Sequence, residues 1–136
     1  MSPVIRAAVL ASGEGTNAQA LVLHAQGNPD KLNICCVITD QPSAGVIARL
    51  GRLGIPIHLV PFERRALETV AETKTRHEAA ILEKLVPYSV EWIFLAGYMR
   101  ILSPDFVNRF TPPGRSLSCI LNIHPALLPD FPGLDA

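Results

Sequence analysis

The sequence predicts an α/β fold, with an open and mainly parallel sheet that carries helices on both faces. Short apolar runs alternate along the chain with segments of helical periodicity. Apolar residues make up 49% of the chain and charged residues only 18%, which is typical of elements covered on both sides. A length of 136 residues is enough for one domain with its own core. Strands that alternate with helices pair in parallel through right-handed crossovers.

The first half of the chain contains three strand segments and two helical segments. Strands are predicted at residues 4–10, 32–39 and 55–60, and helices at residues 18–25 and 44–53. A Ser-Gly pair stops the first strand, and Gly27 with Pro29 ends the first helix. The order of these segments is therefore strand, glycine loop, helix, followed by a second such unit and a third strand.

The second half continues the alternation. A charged, helix-favouring stretch covers residues 65–85, and an apolar run at 92–96 predicts the fourth strand. Ser103 as cap, Pro104 as first residue and Asp105 near the dipole predict the start of another helix. Residues 119–124 are the fifth strand candidate, and a proline-rich extended loop follows to the end of the chain.

A loop with two glycines follows the first strand and opens the first helix. In Ser12-Gly13-Glu14-Gly15-Thr16-Asn17, free backbone N–H groups and the positive end of the helix dipole would face an anion. Thr16 and Gln19 also have the spacing of a capping box. The glycine spacing matches neither G-x-G-x-x-G nor a P-loop, which disfavours a dinucleotide or a nucleoside triphosphate. The loop suits a single phosphate monoester, and a tight turn that binds nothing is the alternative.

An Asn-x-His pair ends the last predicted strand. Side chains alternate along a strand, so Asn122 and His124 share one face and Leu121 and Ile123 the other. Pro125 restrains His124 to an extended backbone at the carboxyl edge of the sheet. An amide N–H and an imidazole can stabilise an oxyanion and move a proton, as acyl transfer requires. A hydrogen-bonded histidine at a strand end is the other interpretation.

Charge and cysteine content exclude several classes of function. Twelve Lys and Arg balance twelve Asp and Glu, so no basic field indicates a nucleic-acid or membrane partner, and a small-molecule substrate is expected. Three cysteines without C-x-x-C spacing indicate neither a disulfide framework nor a zinc site, and no metal is expected. The apolar run at 4–11 is too short to span a membrane and is unlike a cleaved signal, so we expect a cytoplasmic protein.

Three segments together resemble the glycinamide ribonucleotide formyltransferase family: SGEGTN (12–17), LAGYMRIL (95–102) and LNIHPALLP (121–129). The likeness covers the whole chain in order, and Phe131-Pro132-Gly133 continues it. It implies a Rossmann-like formyltransferase domain over residues 1–136, truncated before the C-terminal part of that fold. Residues 1–100 would form the nucleotide-binding half, and residues 101–136 the start of the catalytic and folate half.

The resemblance implies two small-molecule substrates, glycinamide ribonucleotide and the co-substrate 10-formyltetrahydrofolate. The residues that would hold the ribonucleotide phosphate are Gly15, Thr16 and Asn17. The residues that would bind folate are Arg76, Met99, Arg100, Ile101, Leu102 and Asn122, with the loop at 99–102 lining the pterin pocket largely through backbone groups. By the same resemblance, no metal would take part.

The same resemblance makes Asn122 and His124 the catalytic pair. Asn122 would bind the formyl group and stabilise the oxyanion, and His124 would be the proton donor that assists attack by the substrate amine. In the family an aspartate beyond this motif supports the histidine. Asp130 and Asp135 do not match its position and the sequence stops at Ala136, so we expect slow turnover from this chain alone.

Relatives of this family leave other acceptors open. Methionyl-tRNA formyltransferases and formyltetrahydrofolate hydrolases share the Asn-x-His-Pro core, whereas the first loop and the neutral charge favour the ribonucleotide. A ligand-binding fragment without turnover is a further alternative. Besides the small-molecule substrates, the one further partner considered is a second copy of the chain, in a homodimer.

Overall fold

The five strands of the computed structural model form one parallel sheet. The structure describes residues 4–42 and 45–123. The strands are β1 (Ile5–Ala11), β2 (Leu32–Thr39), β3 (Ile57–Leu59), β4 (Trp92–Ala96) and β5 (Ile120–Ile123). Their order across the sheet is β3-β2-β1-β4-β5, and every neighbouring pair is parallel. The predicted open parallel sheet is confirmed.

Helices cover both faces of this sheet, as predicted. They are α1 (Thr16–Gln26), α2 (Gly45–Gly51), α3 (Val70–Leu85) and α4 (Pro104–Arg109), with a 3₁₀ turn at Val86–Tyr88. Val22 of α1 and Leu50 of α2 are buried in the core on one face. Ile81 of α3 and Phe106 of α4 are buried in the core on the other face. Within the described ranges, no helix has the length and apolar character needed to cross a bilayer.

The central strand β1 is enclosed on both sides. Every residue from Ala7 to Ala11 has 0% exposure, and the side chains alternate between the two cores. A parallel strand covered on both faces is a continuous apolar run rather than an alternating one, which is why the segment was recognisable from its sequence.

The third helix begins later than its charged sequence predicts. α3 starts at Val70 rather than near Arg65, because Thr69 forms a capping box with Glu72. The Thr69 hydroxyl accepts from the Glu72 N–H at 3.1 Å, and the Glu72 carboxylate accepts from the Thr69 N–H at 2.9 Å. Before this cap the chain turns, with Leu67 at a φ of 66°. Helix-favouring composition does not show where the first turn closes.

The predicted capping box at Thr16 and Gln19 is wrong. α1 begins at Thr16 itself, so the N-cap position falls on Gly15, which has no capping side chain. The Gln19 N–H donates to the Gly15 carbonyl at 2.7 Å, which is the first bond of the helix. Thr16 and Gln19 have the spacing of a capping box, but Thr16 is the first residue of the helix and not the N-cap residue before it.

The third strand is shorter than the predicted segment 55–60. β3 contains only Ile57–Leu59. Pro56 has no N–H to donate, and only its carbonyl pairs with the neighbouring strand, accepting from the Val37 N–H at 2.9 Å.

Candidate active site

The strand order reverses between β1 and β4. From β1 the chain moves outward to β2 and β3, and then crosses to the other side for β4 and β5. Open α/β sheets bind ligands at such a reversal, outside the carboxyl ends of the strands. Two loops border it: residues 12–15 between β1 and α1, called the β1 loop, and residues 97–103 between β4 and α4, called the β4 loop.

The β1 loop presents the start of α1 at this edge. Gly15 is buried with a φ of 84°, while Thr16 is exposed and Asn17 half-buried. The first N–H groups of a helix have no partner within it, and together with the helix dipole they can hold an anion. Gly15 also has a packing reason to be glycine, because a Cβ there would lie 2.6 Å from the Cα of Val46.

The β4 loop is held by polar contacts at both of its ends. The Ser12 hydroxyl, which belongs to the β1 loop, accepts from the Met99 N–H at 3.1 Å. The Glu78 carboxylate of α3 accepts from the Ser103 N–H at 2.8 Å and also from the Ser103 hydroxyl. The first contact joins the two loops directly. The second fixes the residue that caps α4.

Between these ends, the side chain of Arg100 leaves the β4 loop and reaches two other elements. Its Nε donates to Asp40 Oδ2 at 2.7 Å, and Asp40 directly follows β2. The guanidinium also stacks over the Phe62 ring, with 3.9 Å from its carbon to the ring centroid. This arrangement combines an ion pair with a cation–π contact.

A pocket of about 270 Å³ lies beside the β4 loop. Its lining residues are Phe62, Lys74, His77, Glu78, Tyr98, Met99, Arg100, Ile101 and Leu102. The four loop residues 99–102, to which the family resemblance gives a folate role, therefore all line this pocket. Met99 and Ile101 are 81% and 83% exposed, which leaves two large apolar side chains at the surface beside a cavity.

Two titratable groups in the lining of this pocket, His77 and Tyr98, have shifted pKa values. Burial lowers the pKa of His77, whose Nε2 lies 2.8 Å from the Val60 carbonyl. A neutral ring with its proton on Nε2 can donate that hydrogen bond. Burial also raises the pKa of Tyr98, with a further increase from the negative charge of Asp40. At neutral pH the pocket therefore contains an uncharged imidazole and an uncharged phenol.

Arg76 is engaged in a different contact from the one its predicted role requires. Its Nε donates to Glu68 Oε2 at 2.9 Å and its Nη2 to Glu68 Oε1 at 2.8 Å, so the pair is bidentate. It also donates to the Glu63 carbonyl, which ties the turn before α3 to the helix. The lining of the pocket includes Lys74 and not Arg76. The folate role of Arg76 stays a prediction.

Asn122 lies in β5, in register with Leu95 of β4. It is exposed, and strand alternation places it on the same face as Ile120, which packs against the core beneath α3 and α4. Ile123 packs against the opposite core, as the predicted alternation requires. His124 lies outside the described residues, as do Asp130 and Asp135. The catalytic roles of Asn122 and His124 stay predictions.

Sequence reasoning missed several polar residues of this region, chief among them Asp40, Glu78 and Lys74. Asp40 could have been found as the polar residue that ends a buried strand, since ligand sites collect at that edge. Lys74, His77 and Glu78 have the spacing of three and four that places side chains on one helix face. No local pattern indicates that this face meets the β4 loop.

The three cysteines of the chain are free thiols. Cys35 and Cys36 are buried free thiols, Cys119 is half-buried, and burial raises the pKa of Cys36 to about 12. In residues 4–42 and 45–123, no group of three or more His, Cys, Asp or Glu could hold a metal ion.

A larger cavity of about 790 Å³ lies at the opposite edge of the sheet, where the strands begin. Arg6, Leu32 and Tyr88 are among its lining residues, and none of the predicted site residues is. Its size does not make it the better candidate, because the uncapped helix start and the exposed apolar loop are both at the carboxyl edge.

The fold and the candidate site together define a class: an open parallel α/β protein with a crevice between the ends of its first and fourth strands, where such sheets commonly bind ligands. The sequence profile of the formyl transferase family matches residues 5–136. The chain therefore belongs to the formyl transferase family.

Among curated relatives, the chain is 38% identical to the phosphoribosylglycinamide formyltransferase of Bacillus subtilis, over 95% of this chain and 60% of that protein. It is 32% identical to the enzyme of the same name from Escherichia coli, over 93% of this chain and 54% of that protein. The chain thus spans 54 to 60% of the length of these relatives.

Solved structures give the same result. The phosphoribosylglycinamide formyltransferase of Brucella melitensis is similar with a TM-score of 0.72 and 38% identity, over 96% of this chain and 62% of that one. The enzyme of the same name from Coxiella burnetii, in complex with CHES, also has a TM-score of 0.72, with 31% identity over 93% of this chain and 54% of that one.

Proposed function

We propose that this protein transfers the formyl group of 10-formyltetrahydrofolate to the amine of glycinamide ribonucleotide, a step of purine biosynthesis in the cytoplasm. The observation that carries the proposal is the 3.1 Å hydrogen bond between Ser12 and Met99, because it joins the β1 loop to the β4 loop at the reversal of the sheet. An anion held at the start of α1 would then lie next to a ligand in the pocket of the β4 loop. Relatives named phosphoribosylglycinamide formyltransferase support the ribonucleotide as the formyl acceptor.

The ribonucleotide phosphate binds at the start of α1 in this proposal. Gly15, Thr16 and Asn17 supply backbone N–H groups, and no side chain at the N-cap position competes for them. The exposure of Thr16 leaves room for a phosphate at this point. A helix N-terminus provides donors and dipole together, so a phosphate monoester needs no dedicated cation here.

Folate binds in the pocket of the β4 loop. The pocket has a volume of about 270 Å³, just below the range of roughly 300–1,000 Å³ typical of sites that enclose a whole ligand. It therefore suits the pterin ring, with the tail of the folate outside. Met99 and Ile101 offer apolar surface to the ring, and Leu102 and Arg100 complete the loop. For the anionic tail, Lys74 on the lining is a second cation beside the predicted Arg76.

The chemistry is acyl transfer through a tetrahedral intermediate. The ribonucleotide amine attacks the formyl carbon, and the carbonyl electrons move onto oxygen. The Asn122 amide and a protonated His124 stabilise that oxyanion. His124 then gives its proton to N10 as the bond from the formyl carbon to N10 breaks, and it regains a proton from the attacking amine. The products are formylglycinamide ribonucleotide and tetrahydrofolate.

Amide chemical shifts recorded during titration with glycinamide ribonucleotide test the proposal. We expect the shifts of Gly15, Thr16 and Asn17 to move, and those of 99–102 to move with tetrahydrofolate. Shift changes that cluster around the cavity lined by Arg6 and Tyr88 instead would contradict both binding assignments.

Formyl transfer from 10-formyltetrahydrofolate to the ribonucleotide, to methionyl-tRNA and to water decides between the acceptors. In a chain completed with the C-terminal segment of the family, Asn122→Ala should reduce the rate by about 10²–10³, the usual effect of losing one oxyanion donor. Asn108→Ala, an exposed asparagine of α4, is the matched control and should keep the rate. Equal rates for the two variants would remove Asn122 from the mechanism.

A further inference from the structure

Asp40 is a buried carboxylate at the carboxyl end of β2. Its side chain is 2% exposed, and its Oδ2 lies 2.7 Å from the Nε of Arg100. In the sheet order, β1 stands between β2 and β4. The Arg100 side chain therefore crosses the end of β1 to reach Asp40, and the ion pair bridges the crevice in which ligands are expected.

The second oxygen of this carboxylate is left without a partner. Asp40 Oδ1 is buried and accepts no hydrogen bond from the described residues. Burying a charge is unfavourable unless it is paired, and a buried ion pair is weak support for a role in stability alone. Within the described part of the chain, Arg100 is thus the partner that makes a buried carboxylate at this position tolerable.

Arg100 is held from two sides. Asp40 binds Nε, and the Phe62 ring lies 3.9 Å beneath the guanidinium carbon. The ends of the loop are fixed separately, by Ser12 at Met99 and by Glu78 at Ser103. The Arg100 side chain is therefore the anchor for the middle of the loop, where two exposed apolar side chains flank it.

We propose that Asp40 is a positioning residue, which holds the loop at 99–102 in its ligand-binding conformation through Arg100 and thereby sets the affinity for folate. This inference rests on the proposed function only in naming folate as the ligand. Asp40 does not contact the ligand itself. Its effect is on the free energy needed to order the loop, which binding must otherwise supply.

Asp40→Asn keeps the size of the side chain and removes its charge. We expect the dissociation constant for tetrahydrofolate, measured by calorimetry, to rise about tenfold, equivalent to ~1.4 kcal/mol. The dissociation constant for glycinamide ribonucleotide should stay within about twofold, since the β1 loop is also held by Arg49 of α2, whose Nε donates to the Glu14 carbonyl at 3.1 Å. Asp30→Asn, on the exposed turn before β2, removes the same charge and should change neither constant.

Amide hydrogen exchange tests the anchor independently of any ligand. In Asp40→Asn the loop amide of Met99, which donates to the Ser12 hydroxyl, should exchange faster, while the amides of β1 and α1 keep their rates. The double variant Asp40→Asn with Arg100→Gln should exchange no faster at the loop than Arg100→Gln alone, because Asp40 acts on the loop only through Arg100.

The outcomes separate the two proposals. Unchanged loop exchange in Asp40→Asn, or a uniform increase across β1 and α1, overturns the positioning role whatever the protein binds. Faster loop exchange in Asp40→Asn in a protein whose wild type does not bind tetrahydrofolate supports the anchor and contradicts the folate assignment. Equal weakening of ribonucleotide and folate binding indicates a general structural role and overturns the inference.

Discussion

Gly13 and Gly15 lie in the same loop after β1, but the structure makes different demands on them. Gly15 has a φ of 84°, and a Cβ would lie 2.6 Å from Val46 Cα and 2.7 Å from Val46 Cβ. Gly13 has no heavy atom within 4 Å of the corresponding position. One glycine is required by backbone conformation and close packing, whereas the other has open space around it.

Gly15→Ala should therefore destabilise the protein by about 2–4 kcal/mol, combining the left-handed backbone with overpacking against α2. Gly13→Ala should lie within about 0.5 kcal/mol of the wild type. Urea unfolding followed by circular dichroism measures both. Similar stabilities for the two variants would show that α2 moves away from Gly15 without cost.

Some residues of the candidate site could be predicted from local sequence patterns, and others could not. The glycines of the β1 loop follow a strand and Asn122 lies in one, so strand ends and the alternation of side chains were enough to nominate them. Asp40 and Glu78 act on residues distant in the sequence, Arg100 and Ser103 respectively. Contacts of this kind depend on which strands are neighbours, and local patterns do not contain that information.

At the scale of the element, the capping box of α3 makes a measurable contribution. Thr69→Ala removes the hydroxyl that accepts from the Glu72 N–H, and should cost about 0.5–2 kcal/mol of stability. Thr75→Ala is the control in the same helix, because the Thr75 hydroxyl only bonds back to the Ala71 carbonyl. Alanine is the better helix former, so this control should be neutral or slightly stabilising. Equal losses in thermal unfolding would show that Thr69 is not the cap.

The bounds of the elements were harder to predict than their types. All five strands and four helices stand where their segments were expected, but α3 starts at Val70 and β3 loses its predicted ends. The later start of α3 and the later start of β3 each come from a single hydrogen-bonding group: a hydroxyl that closes the first turn at Thr69 and an N–H that Pro56 lacks. Periodicity averages over several residues and is insensitive to such groups.

At the scale of the whole molecule, alternating strands and helices predicted the parallel sheet and its two covered faces. The strand order was not contained in that pattern. It depends on which side of β1 each crossover packs, and α3 and α4 pack on the face opposite α1 and α2. That change of side creates the reversal between β1 and β4, and with it the crevice to which the candidate site belongs.

Two histidines make the stability of the whole molecule depend on pH. Burial lowers the pKa of His77, although the Val60 carbonyl and the carboxylates of Asp40 and Glu78 oppose the shift. Burial also lowers the pKa of His58. Above the ordinary value of 6.5 both states are neutral and stability is complete. Below 6.5 the unfolded chain binds protons that the folded chain does not. The free energy of unfolding therefore decreases as the pH decreases.

The range between pH 6.5 and 4.5 isolates the effect of the histidines on stability. The Arg76 guanidinium lowers the pKa of the Glu68 carboxylate, so the contribution of Glu68 to stability is lost only below the ordinary value of 4.5. Urea unfolding at several pH values should show a decline in wild type. His77→Gln keeps an N–H near the Val60 carbonyl without titrating, and should flatten the decline by at most about 1.4 kcal/mol per pH unit. His58→Gln should flatten it too, and His24→Gln on the exposed face of α1 is the control for imidazole removal. An identical slope in His77→Gln and wild type would mean that His77 takes up its proton as readily in the folded protein as in the unfolded chain.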